Sequence, residues 1–190
     1  MSISRDEAAE SLRNIEQAQS RSFTAYGYQS AAPFLFIWGV VWMVGYTSND
    51  LLPLYAGRIW PALLLLAFIA SGIVGRRMGR GDTTEGRARN RRIGLRMLAT
   101  WLAVFAFIGA VMTVMQPTTQ AQADAFVPLI VAASYTILGI WMGARFVIAG
   151  LTIAALTLGG FYLLQPHFAL WMAAVGGSTL VLTGLWMRRA

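Results

Sequence analysis

Seven arginines crowd residues 76–92, RRMGRGDTTEGRARNRR: Arg76, Arg77, Arg80, Arg87, Arg89, Arg91 and Arg92, offset only by Asp82 and Glu85. Arginine at this density binds phosphate, through a planar fork of donors and a charge that does not titrate away. The segment has no aromatic side chain on which a base could stack and no folded scaffold around it, so nucleic acid is not the expected partner. It lies between IWPALLLLAFIASGIVG and LRMLATWLAVFAFIGAVMTVM, which makes residues 76–92 an expected cytoplasmic loop beside a bilayer. With Arg96 included the local charge is +6, and each arginine near an anionic leaflet contributes about 1 kcal/mol of attraction. The expected contacts are anionic lipid headgroups and, by a second route, a protein partner. A narrower alternative makes the GRGDTTEG stretch, with Thr83 and Thr84, a regulatory or docking spot.

Other residue types narrow the chemistry further. There is no cysteine and one histidine, which leaves no thiolate or multi-histidine metal site, no haem site and no thiol nucleophile. No metal and no cofactor is expected. Asp50, Arg58, Asp124 and His167, with Tyr55 and Tyr162 nearby, are the types that could make an acid–base or phosphate-handling site. They come from three separate connections with no motif spacing, and the polar segments are too short to hold a catalytic domain. An enzyme is therefore not expected. Ser134, Tyr135 and Thr136, echoed by Ser178 and Thr179, are the most polar residues deep in apolar sequence and could line a path for a small neutral or amphipathic solute. The plainer reading is that such hydroxyls bond across helices or to their own carbonyls one turn back. Asp, Glu, Lys and His are missing from the middle of every apolar stretch, which argues against ion-coupled transport.

The elements that must position these residues follow from composition. The chain has 190 residues, 57% hydrophobic and 12% charged, with mean hydropathy +0.58 and net charge +7. A soluble domain carries about a quarter charged residues, so much of this surface faces something other than water. A helix needs about 20 apolar residues to cross a bilayer core. Six stretches qualify, at about 31–48, 54–75, 93–115, 125–144, 146–164 and 169–187, giving an all-α polytopic membrane protein with six transmembrane helices. Residues 1–30 form an N-terminal amphipathic helix and residues 31–190 the membrane domain. Asp124 is placed to cap the fourth helix, with Pro128 in its first turn, and Pro61 predicts a kink or a late start in the second. GAR, residues 143–145, is the weakest boundary, although about forty apolar residues are too many for one crossing.

Six crossings with the N-terminus in the cytoplasm leave fourteen of the fifteen arginines inside and only Arg58 outside, as the positive-inside rule requires. Both termini are then cytoplasmic, and about thirty polar residues before the first span argue against a signal peptide. The exclusive use of arginine over lysine points to a GC-rich bacterial genome and the inner membrane. Trp42, Trp60 and Trp171 are expected at the outer interface, Trp101, Trp141 and Trp186 at the inner one, and Trp38 within the bundle. The inner ends of the even spans, SGIVGRR, LGIWMGAR and TGLWMRR, suggest three repeated helical hairpins; convergence on glycine and arginine explains the likeness equally well. The pairs Gly139/Gly143, Ala99/Ala103 and Ala173/Gly177 read as close helix crossings, within one bundle or in a homo-oligomer.

The N-terminal segment opens on Ser4-x-x-Glu7, a capping-box pattern, and places Ala8, Leu12 and Ile15 at helical spacing. Its side chains sum to −1, poorly suited to anionic lipid and better suited to the basic segment or another protein. The functional expectation is a small accessory or regulatory membrane protein acting through protein–protein contacts. The alternative is a homo-oligomeric channel or facilitator, and a membrane enzyme with an outer-face site ranks third.

Overall fold

In the computed structural model the described residues are 5–78 and 84–189, and among them all regular structure is helical. The order is α1 (Arg5–Leu51), α2 (Pro53–Met78), α3 (Thr84–Met115), α4 (Gln120–Met142), α5 (Ala144–Leu163), a 3₁₀ turn (Gln165–His167), α6 (Phe168–Trp171), a π turn (Met172–Gly176) and α7 (Gly177–Arg188). Six helical segments are long and apolar enough to cross a membrane: 24–51, 53–78, 94–115, 120–142, 144–163 and 165–188. The last joins the 3₁₀ turn, α6, the π turn and α7 into one crossing. This agrees in number and order with the expected spans, with ends displaced by up to seven residues.

Two segments extend past the apolar stretches as helix. α1 has 47 residues, about 70 Å at 1.5 Å per residue, so roughly 28 Å of helix precedes Thr24 without a break at residue 30. Ala, Glu, Gln and Arg dominate that extension and are strong helix formers. The basic segment, expected as a loop, is helical through Met78 and again from Thr84, with only 79–83 outside the described residues. Its arginines and alanine favour helix, and Glu85 lies in the first turn of α3, where the helix dipole stabilises an acid. Ser4 of the expected capping box also lies outside the described residues.

The core is formed by α1, α4, α5 and the sixth crossing, with Leu35, Trp42, Ile153, Phe168, Met172, Leu180 and Met187 all under 5% exposed. Glycine permits the closest approaches. A Cβ on Gly150 would stand 2.6 Å from the Ala132 carbonyl oxygen, which holds α4 against α5. One on Gly39 would stand 3.0 Å from the Gly177 oxygen, which holds α1 against α7. Small residues are the usual means of bringing helix backbones together where lipid, not water, is the alternative neighbour. Gly139, Ala173 and Gly177 are buried at these crossings, whereas Ala99 and Ala103 lie exposed on α3.

α2 packs along α1, whereas α3 is peripheral. It joins the bundle through an aromatic seam: Trp38 stacks on Trp101 at 5.2 Å, and Phe68 meets Trp38, Trp101 and Phe105 edge-on at 5.7–6.1 Å. Gly143 alone separates α4 from α5, with φ 121° and ψ 160°. That conformation is essentially restricted to glycine, so the weakest boundary in the sequence is a true break and the two helices turn back on each other.

Candidate functional site

At the end of the bundle opposite the arginines, one polar network joins three helices. Asp124 in α4 accepts two hydrogen bonds on the same carboxylate oxygen, Oδ1: from Asn49 Nδ2 at 3.0 Å and from Gln120 Nε2 at 2.9 Å. Asn49 Oδ1 in turn accepts from Trp60 Nε1 of α2 at 2.8 Å. The Tyr46 hydroxyl donates to the Asp124 backbone oxygen at 2.9 Å. Tyr46 itself is 2% exposed, with Trp42 and Trp60 edge-on to its ring at 5.9 and 5.4 Å. Convergence of N–H donors on one oxygen is the arrangement a carboxylate anion accepts, and bonds to a charged acceptor are about twice as strong as neutral ones. Among the described residues no donor reaches Oδ2 and no guanidinium pairs with the carboxylate.

Local chemistry explains how these groups converge. Asn49 lies in the last turn of α1 and Pro53 opens α2, so the connection is short and brings Trp60 back beside Asn49. Asp124 does not cap α4. The N-cap is Thr119, whose hydroxyl accepts from the Gln122 amide at 3.2 Å, while the Gln122 side chain accepts from the Thr119 amide at 3.3 Å. That reciprocal pair is a capping box five residues upstream of the expected start. Asp124 is thereby left in the second turn, facing α1. Asp124, expected beside Asp50, Arg58 and His167, instead has the amides Asn49 and Gln120 as its partners. Two amide-rich runs, TSND and QAQAD, were the available signal.

The opposite end is held by Arg145. Its Nη1 donates to the Trp186 carbonyl oxygen at 2.6 Å, and its guanidinium carbon lies 5.0 Å from the Trp186 ring and 5.3 Å from that of Tyr28. The Arg145 amide donates to the Tyr28 hydroxyl at 3.3 Å. One residue thus ties the α4–α5 turn to α1 and to the last turn of α7. Arg76 and Arg77 are exposed in the last turn of α2, and Arg91 and Arg92 are exposed on α3. Arg87 and Arg89 lie on the helical backbone of α3, and Arg80 lies outside the described residues.

The hydroxyl residues are dispersed. Ser134 is exposed on α4 and donates to the Ile130 oxygen at 2.8 Å. Thr136 donates to the Ala132 oxygen at 2.8 Å and packs on Gly150 at the α4–α5 crossing. Thr179 donates to the Val175 oxygen at 2.7 Å. Tyr135 leans on Phe146 at 6.0 Å, and Ser178 is half-buried in α7. Trp42, expected at an interface, is 4% exposed inside the bundle, where Gly176 of the sixth crossing makes room for its ring. Trp141 and Trp186 are exposed at the arginine-rich end. Among the described residues no group of His, Asp or Glu is arranged to hold a metal ion.

No protein-family model, curated protein or solved structure matches this chain.

Proposed function

We propose that the chain is an accessory or regulatory protein of a bacterial inner membrane, acting through protein–protein contacts at its arginine-rich end. The observation that carries this reading is the continuity of α1: the helix that supplies Leu35, Trp42 and Tyr46 to the core also extends roughly 28 Å beyond its apolar part. Arg13, Asn14, Ile15 and Ser22 of the extension are exposed. A partner gripping that stalk would pull on a helix packed against α2 and the whole sixth crossing, so contact and bundle are mechanically one unit. The acidic balance of the stalk complements the +6 segment at the start of α3, and anionic headgroups are the other natural neighbour of those arginines.

Further details belong to the same proposal. Both termini are cytoplasmic, because that orientation puts fourteen of fifteen arginines inside. The three-hairpin repeat rests on the SGIVGRR, LGIWMGAR and TGLWMRR likeness, although the most closely packed pairs, α4 with α5 and α1 with α7, each join different hairpins. Hydroxyls bonded to carbonyls of their own helix support the accessory reading over a solute path.

The test is the mass and composition of the protein extracted gently from its native membrane. A second polypeptide in fixed ratio, lost when residues 5–22 are deleted, is the expected result. A homo-oligomer alone, whose solute flux disappears in Ser134→Ala and Thr136→Ala, would overturn it in favour of a facilitator.

A further inference from the structure

We propose that Asp124 is the anchor of a binding site for a primary ammonium group, presented by a zwitterionic lipid headgroup of the outer leaflet. The carboxylate is half-buried, and both of its donors, Asn49 and Gln120, are neutral amides that converge on Oδ1. Its negative charge is therefore solvated on one side and, among the described residues, neutralised by no cation. Oδ2 is left as an acceptor that a hydrogen-bonding cation would satisfy. An ionisable side chain at the edge of an apolar bundle, with no counter-ion among the described residues, is a candidate functional group.

The proposed layer follows from position along the helices. Asn49 lies two residues inside the end of α1 and Asp124 four residues inside the start of α4, roughly 3–6 Å along the helix axes. With those ends at the bilayer surface, the carboxylate sits at the boundary between headgroups and acyl chains. Trp60, half-buried beside the carboxylate and packed edge to face on Tyr46 at 5.4 Å, is a side chain suited to that boundary and attractive to cations. An ethanolamine headgroup also carries a phosphate, and Arg58, exposed two residues before Trp60 on α2, is at the same end to receive it. A carboxylate and a guanidinium at one bundle end match a zwitterion better than they match a purely anionic lipid.

The experiment uses the full chain in vesicles of equal phosphatidylethanolamine and phosphatidylglycerol, released into mild detergent, with retained lipid counted by intact-complex mass spectrometry. The wild type is expected to retain the ethanolamine lipid at least fivefold over the glycerol lipid. Asp124→Asn should reduce that preference to less than twofold, while Thr113→Ala, at an exposed position of α3 outside the network, should preserve it. A second series needs no variant: with headgroups bearing one, two and three N-methyl groups, retention by the wild type should fall as N–H donors are lost. Wild-type protein without headgroup preference, Asp124→Asn with the preference intact, or equal retention of the trimethylated lipid would each overturn the proposal. Millimolar propylammonium separates the sources: resistance to displacement supports the lipid, whereas Asp124-dependent uptake of the soluble amine in phosphatidylglycerol vesicles overturns the lipid assignment and leaves a free-amine site.

Discussion

Gly143 and Arg145 carry more of this structure than their places in a three-residue turn suggest. A side chain at Gly143 would have to adopt φ 121° and would collide with the Tyr28 hydroxyl. Backbone of that kind costs a non-glycine residue about 1–3 kcal/mol, and the collision adds to it. Gly143→Ala should therefore lower the thermal midpoint of the detergent-solubilised protein by several degrees, and the tyrosine-hydroxyl contact to the Arg145 amide should be lost with it. Arg145→Lys tests a different quantity, because charge is kept while the planar group over Tyr28 and Trp186 is removed. An arginine stacked on aromatic rings is worth about 0.5–2 kcal/mol, and lysine makes the stack less well. The expected outcome is a smaller fall in midpoint, accompanied by a shift in tryptophan emission from Trp186. Equal midpoints for Arg145→Lys and wild type would show that Arg145 serves through charge alone.

The helices themselves were legible because a bilayer imposes a length: a run of about 20 apolar residues leaves little freedom about where a crossing lies. Their partners were not legible, because Asn49 meets Asp124 across 75 residues and Tyr28 meets Arg145 across 117, and no local spacing encodes either distance. The same limit explains the misplaced start of α4. Asp124 before Pro128 looks like a cap from sequence, yet Thr119 and Gln122 satisfy the free amides first. Helix pairing is open to a direct test through glycine. At Gly150 a Cβ would meet Thr136 and the Ala132 oxygen, whereas at Gly109 on α3 it would meet nothing within 4 Å. Gly150→Leu should force α4 and α5 apart and cost most of the folded yield, since overpacking a tight contact typically costs 1–3 kcal/mol or more. Gly109→Leu, facing open space, should be neutral or slightly stabilising, because glycine is a poor helix former. Chemical denaturation of the two variants in one detergent separates these outcomes.

At the scale of the whole molecule, the two ends are chemically unlike. One end holds Tyr28, Arg145, Trp186 and the exposed arginines of α2 and α3; the other holds Asn49, Asp124, Gln120 and Trp60, joined through amides and an indole. Bundle packing alone does not decide which end faces the cytoplasm; the proposed orientation rests on the bias of arginine toward that side. The native chain lacks cysteine, so single cysteines report position without further engineering. Met78→Cys, at the exposed end of α2, and Thr118→Cys, in the exposed turn before α4, lie at opposite ends of the bundle. In intact cells a membrane-impermeant maleimide should label Thr118→Cys and leave Met78→Cys unreacted until the membrane is opened. The reverse pattern would invert the molecule and move the ammonium site to the cytoplasmic leaflet. Labelling of both in intact cells would mean that α3, the one crossing between them, does not span the membrane, and the six-crossing architecture would fall with the orientation.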